Sequence, residues 1–175
     1  KPQTAKIIVR SMLDRTVFVL GRAVVVAAPA GLVIWLAANV DINGTSILAY
    51  MCSFFDPLGK LMGLDGTIIT AFILGFPANE TVLPIMLAAY MQSGTVADTN
   101  DLSALKEVLT ANGWNTVTAI CFILFCLMHW PCSTTLLTVK KESGSVKWVL
   151  VAALLPTAFG VCACVLVNAV AKFFC

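Results

Sequence analysis

The most constraining stretch of the chain is a polar interruption in an apolar run. Thr67 to Tyr90 is strongly hydrophobic, yet Gly75-Phe76-Pro77-Ala78-Asn79-Glu80 sets a proline, an amide and a carboxylate in its middle. Freed backbone groups and a carboxylate are both costly in hydrocarbon. Such an interruption is tolerated where it faces protein or a wet cavity. Transporters build substrate sites near the bilayer midplane from helices broken in this way.

A second interruption matches the first. His129-Trp130-Pro131-Cys132-Ser133-Thr134 divides the apolar run from Thr116 to Leu137. The two align without a gap: Phe76, Pro77 and Thr81 fall opposite Trp130, Pro131 and Thr135, and Ala78, Asn79 and Glu80 opposite Cys132, Ser133 and Thr134. Two interrupted segments in corresponding positions point to a transporter binding site. A chance match between two proline-containing helices is the competing reading.

Only 11% of the 175 residues are charged and 59% are hydrophobic, whereas soluble domains are about a quarter charged. With a mean hydropathy of +0.94, the expected class is all-α, a polytopic membrane helical bundle with two discontinuous helices. The length suffices for about four or five spanning or re-entrant segments. A net charge of +2, with no basic patch interleaved with aromatics, argues against nucleic acid as a partner and for the lipid bilayer. The opening Lys1-Pro2-Gln3, with no methionine and no signal-peptide pattern, reads as the start of a piece of a longer protein.

Residues 1–15 carry Lys1, Lys6, Arg10 and Arg15 beside Ile7, Ile8, Met12 and Leu13, the pattern of an amphipathic juxtamembrane helix. Residues 17–38 form an expected span with a kink at Pro29. Residues 46–64 are marked by Asp56-Pro57, Lys60 and Gly63, and read as an interfacial or half-inserted helix with a kink at Pro57; Asp56 is either a site residue or, the favoured reading, the cap of the helix that follows. Residues 66–91 form the first broken helix and 92–115 a polar loop, with a short surface helix near Ser103–Leu109. Residues 116–139 form the second broken helix, and 149–170 the last span, kinked at Pro156 and Gly160. The charges leave open whether each broken helix crosses or returns. The positive-inside rule places both the basic start and the turn bearing Lys140, Lys141 and Lys147 in the cytoplasm. Accessibility labels at residues 6 and 144 are therefore expected on the same membrane face; labels on opposite faces would refute that topology.

A broken helix exposes carbonyls that attract cations and N–H groups that favour anions and thiolates. Glu80 is a cation ligand or proton acceptor, or else a helix-start residue satisfying freed N–H groups. Asn79 reads as a cap rather than a ligand. Cys132 is either a ligand for a softer metal or a small residue allowing close packing. His129, the lone histidine, is spaced three residues from both Cys126 and Cys132; Pro131 disturbs that face, and hydrogen-bonded structure is its other role. The metal-path candidates are thus Glu80, Cys132, Asn79 and His129, with Pro77 and Pro131 as the helix breaks. The other cysteines read as small apolar fillers. No P-loop, His-Glu-x-x-His or Gly-x-Ser-x-Gly pattern occurs, so no enzymatic centre is expected.

Gly75-Phe76-Pro77-Ala78-Asn79-Glu80 with Val82-Leu83-Pro84 resembles the second gate motif of the bacterial FeoB ferrous-iron transporters. His129-Trp130-Pro131-Cys132-Ser133-Thr134-Thr135-Leu136, followed by Lys140-Lys141-Glu142-Ser143-Gly144-Ser145 and Lys147-Trp148, is similar to that family's C-terminal segment. Asp14-Arg15, Leu20-Gly21-Arg22-Ala23, Ala28-Pro29-Ala30-Gly31 and Asp56-Pro57 extend the likeness over essentially the whole chain. The resemblance implies a bacterial inner-membrane, multi-pass protein and the C-terminal half of a GTP-dependent importer of Fe2+. It implies as partners an N-terminal GTPase domain, using GTP and Mg2+, and a first gate repeat, both absent from this chain. An apolar face meant for that repeat makes a homo-oligomer of the isolated chain an expectation. Two rival readings remain: a nucleoside or organic-solute gate, and a structural membrane module whose breaks satisfy one another in a packed interface.

Overall fold

A computed structural model describes residues 5–42, 44–91 and 102–174. Residues 1–4, and the 92–101 part of the expected polar loop, lie outside the described residues. Apart from a small hairpin and short turns and breaks, the described residues are helical.

Helix α1 spans Ala5–Asn39, so the expected surface helix and first span lie in one element. Nothing at their junction breaks a helix: the Thr16 hydroxyl donates back to the Met12 carbonyl at 2.8 Å, which a helix accommodates. At 35 residues, α1 is about 52 Å long, more than a ~30 Å hydrocarbon core requires. A two-stranded hairpin comes next, β1 (Asp41–Ile42) and β2 (Thr45–Ser46), with Asp41 opposite Ser46. Gly44 supplies the positive φ of +81° that its turn requires.

Ser46 caps helix α2 (Ile47–Leu61), accepting from the Ala49 N–H. Pro57 is absorbed inside that helix. The chain then turns sharply: α2 and helix α3 (Gly66–Leu74) meet at 112°. Asp65 caps α3 by accepting from the Ile68 N–H at 2.7 Å. Asp56 does not cap its own helix. It reaches from α2 to accept the Gly66 N–H at 3.4 Å and pairs with Lys60 one turn on. The elbow closes only because Gly66 has no side chain: a Cβ there would lie 1.9 Å from the Cys52 carbonyl oxygen.

Beyond α3 the chain breaks, makes a single 3-10 turn (Asn79–Thr81), and continues as helix α4 (Val82–Met91). The two ends of this broken element meet. The Tyr90 hydroxyl donates to the Asp65 carboxylate and accepts from Trp114 Nε1 at 3.0 Å. The first broken helix is therefore a hairpin that returns to the end where it entered. Its arm α3, nine residues long, reaches about 13 Å, close to half of a ~30 Å core. Such a hairpin entering from one face would place its tip, Phe76–Pro77, near the midplane. Its arms are the most enclosed part of the fold, with Ile68, Ala71, Phe72 and Met86 essentially inaccessible.

Helix α5 (Leu102–Ala111) precedes Trp114. Asn115 then caps helix α6 (Thr116–Met128), and helix α7 (Ser133–Ser143) begins after a four-residue break. Helix α7 ends at Gly144 with φ +63°, the left-handed stop that glycine favours. Helix α8 (Val146–Phe174) returns alongside. Cys121 and Cys164 exchange thiol-to-carbonyl contacts, while Gly160 lies against Met128 and Phe125. Rising numbers in α6 meet falling numbers in α8, so the two are antiparallel. Asn168 on α8 donates to the Lys60 and Leu61 carbonyls at 3.0 and 2.9 Å, tying α8 to the elbow. Among the described residues, 116–143 and 146–173 are each long and apolar enough to cross a membrane; the bent α2–α3 pair is a third span if counted as one. The second broken helix thus has the length of a full crossing, unlike the first.

Candidate functional site

The first break is made by Pro77, which has no N–H to continue the ladder. In an uninterrupted helix the Pro77 carbonyl would take the Thr81 N–H. Here that N–H, and the Thr81 hydroxyl, both go to the Ala78 carbonyl, at 3.0 and 2.7 Å. The Phe76 and Pro77 carbonyls are left to bond outside their own element. Gly75 is needed at the start of the turn, since a Cβ there would lie 2.6 Å from Val82 and 2.9 Å from the Ala71 carbonyl oxygen.

The second break is held by His129. Its ring Nδ1 sits 3.0 Å from the Phe125 carbonyl and 2.9 Å from the Cys126 carbonyl. Both neighbours only accept, so Nδ1 carries the proton and Nε2 presents a bare lone pair. The ring is enclosed by aromatics from both broken elements. Its centroid is 4.9 Å from that of Phe72 on α3, 6.0 Å from Phe125 and 5.9 Å from Trp130.

The breaks join directly. The Ser133 N–H donates to the Phe76 carbonyl and the Ser133 hydroxyl to the Pro77 carbonyl, each at 3.2 Å. The freed N–H at the start of α7 thus meets freed carbonyls of the hairpin tip, the favourable alignment of opposite helix-end charges.

This junction is incompletely satisfied. Three buried side-chain polar atoms among the described residues have no hydrogen-bond partner: Asn79 Oδ1, His129 Nε2 and Trp130 Nε1. All three belong to the two breaks. Each such orphan costs roughly 1–3 kcal/mol, and buried polar groups left unpaired in this way call for an explanation. Two are acceptors and one is a donor, an imbalance that a cation or a donor ligand would correct.

The sequence-based candidates are placed unevenly. Pro77 lies between α3 and the 3-10 turn, and Pro131 between α6 and α7. Asn79 does not cap: Ala78 holds that position, with no side-chain cap. Glu80 is exposed on the 3-10 turn. Cys132 stands at the start of α7, its sulfur 3.0 and 3.2 Å from the Thr134 and Thr135 hydroxyl oxygens. Cys126 is exposed on α6 and shares with His129 only the bond to its carbonyl. No group of three His, Cys, Asp or Glu side chains with metal-holding geometry occurs among the described residues. Sequence reasoning missed the role of Ser133, which reads locally as a cap for α7.

Two cavities bear on the site. One of about 270 Å³ lies beside the first break, between Pro29 and Val33 of α1 and Phe76 and Pro77, and neither Glu80 nor Cys132 lines it. A larger one, of about 590 Å³, opens at the other end of α3, where Ser53, Asp56, Asp65, Thr67 and Tyr90 make it polar.

A hairpin whose tip is bonded to the break in a neighbouring apolar helix, beside helices long and apolar enough to cross a bilayer, defines an all-α membrane protein with discontinuous helices. The chain belongs to the Gate family, described as nucleoside recognition, whose model matches residues 20–146, and within it to the FeoB type. It is 28% identical over 135 residues to the Fe(2+) transporter FeoB of Campylobacter jejuni, covering 69% of this chain and 22% of that one. The same-named protein of Staphylococcus aureus strain MSSA476 is 30% identical over 132 residues, covering 71% of this chain and 18% of the relative. That of Leptospira biflexa is 24% identical over 122 residues, 66% of this chain and 17% of the relative. The chain therefore spans about a fifth of the length of these curated relatives. No solved structure matches it significantly.

Proposed function

We propose that this chain is the membrane-embedded gate part of a ferrous-iron importer, with Fe2+ passing the junction of the two breaks. The observation that carries the reading is the concentration of unpartnered buried polar atoms at that junction. A bare imidazole nitrogen and an amide oxygen suit a borderline divalent cation such as Fe2+, and Cys132, at the start of α7 in the second break, offers a softer sulfur donor. Glu80, exposed at the hairpin tip, would attract the ion and lend its charge. GTP hydrolysis would reside, with Mg2+, in another domain of the longer protein, and this chain would do no chemistry of its own. The setting is a bacterial inner membrane.

The test is a ferrous-soaked structure with anomalous scattering. An iron peak within about 2–2.5 Å of His129 Nε2 or Asn79 Oδ1 is expected, and iron bound only elsewhere would overturn the assignment. In the longer protein, Glu80→Gln should reduce uptake without unfolding the chain, whereas Cys132→Ser should match that loss only if the sulfur ligates. The family description favours a second reading, with a nucleoside held in the polar cavity of about 590 Å³. Calorimetric binding of a nucleoside, with none of Fe2+, would replace the iron reading with that one.

A further inference from the structure

The bond between the two breaks has the geometry of an internal substitute for the ion. Backbone carbonyl oxygens are hard cation ligands, and the hairpin tip frees two adjacent ones, at Phe76 and Pro77. Both are occupied by one residue 56 positions away from Pro77, through its N–H and its hydroxyl. Donor hydrogens present positive charge to the oxygens, as a bound cation would. The donor pair and a cation directly ligated by these oxygens cannot share that space without the donors moving.

We propose that Ser133 is a built-in plug: it holds the Phe76 and Pro77 carbonyls in the metal-free state, and an arriving cation must displace it to gain them. The proposal rests on the ferrous-ion reading above and adds a consequence for motion. Ser133 is the first residue of α7, and Lys140 and Lys141 lie in the last turn of that helix. At 11 residues, α7 runs about 16 Å from the junction to its basic end. Release of Ser133 frees that helix at its inner end, so occupancy of the junction is transmitted to the surface where a further domain would act. Conversely, a push on the basic end opens the carbonyls. The two states are exclusive, as a two-state element requires.

Two measurements on the full 175-residue chain in nanodiscs test the plug. The first is anaerobic calorimetry with ferrous ion alone, comparing the natural chain with Ser133→Ala and Ser133→Thr. Loss of one competing hydrogen bond should tighten ferrous binding about 2–10-fold in Ser133→Ala, while Ser133→Thr, which keeps the hydroxyl, should bind like the natural chain. The second is hydrogen exchange over residues 131–137 of the natural chain, which needs no variant to fold. Exchange there should be slow without metal and faster when Fe2+ is bound. Saturable Fe2+ binding with unchanged exchange, or with Ser133→Ala binding no tighter, overturns the plug and leaves the iron reading intact. Absence of Fe2+ binding by every form sinks the iron reading and the plug with it.

Discussion

Gly66→Ala is expected to destabilise the fold more than any other single-methyl addition outside the junction. The added Cβ would lie 1.9 Å from the Cys52 carbonyl oxygen and 2.7 Å from the Asp56 nitrogen. Both are backbone atoms in the middle of α2, so no side chain can swing aside. Ordinary overpacking costs roughly 1–3 kcal/mol. This clash instead requires α2 and α3 to separate, which would strip the Gly66 N–H from Asp56 and open the buried face of α3. Set against the ~5–15 kcal/mol that typically holds a domain together, that is a large share. Thermal unfolding followed by circular dichroism in detergent should show a lower midpoint or no cooperative transition. A Gly66→Ala protein melting within a few degrees of the natural chain would show that the elbow is not packed as described.

His129→Phe should have the largest effect on ion binding. A phenylalanine ring fits among Phe72, Phe125 and Trp130, so the aromatic packing between α3 and α6 is retained. What disappears is the Nδ1–H bonded to two carbonyls and the bare Nε2. Losing an outer-shell partner costs metal sites about 10–100-fold in affinity; loss of a ligand should cost at least that. Stability should change little, because the ~1 kcal/mol of each lost hydrogen bond is offset by removal of an unsatisfied nitrogen. Ferrous titration of both proteins reads this directly. Unchanged affinity in a well-folded His129→Phe chain would remove His129 from the site.

The breaks were legible because their cause is local. Pro77 and Pro131 lack the N–H that a helix needs, and each stands close to polar residues within an apolar run, whereas Pro29, Pro57 and Pro156 stay inside continuous helices. The all-helical membrane class was legible from composition for the same reason, since each residue contributes independently of what it touches. The hairpin was not legible. In a lipid-facing or core helix nearly every position is apolar, so no amphipathic phase reveals which way the chain turns. The elements that settle it, Asp65, Tyr90 and Trp114, are polar residues scattered over some fifty positions. Asp65, placed just before an apolar run, did carry a cap signature; Asp56, beside a proline, drew the reading instead. Ser133 was hidden for the opposite reason, because a serine opening a helix is nearly always explained by that helix. Its partners lie in the other break, and only the fold brings them within reach. The division of residues 1–38 into two segments followed a change in charge density, yet a helix continues through such a change when nothing interrupts its hydrogen bonds.

The bond between Tyr90 and Asp65 gives the first hairpin the mechanics of a cantilever. Its base is clamped by that bond, by Trp114 and by the backbone contact at Gly66, while two hydrogen bonds from Ser133 tie its tip to the neighbouring break. Displacement in such a beam grows with distance from the clamp. A tilt of roughly 5° over the ~13 Å arm moves the tip by about 1 Å. That is enough to carry the 3.2 Å bonds to Ser133 beyond hydrogen-bonding range, while atoms at the base barely shift. A tilt of that size would uncouple the breaks, and it would have to carry the enclosed side chains of the arm, Ile68, Ala71 and Phe72, with it.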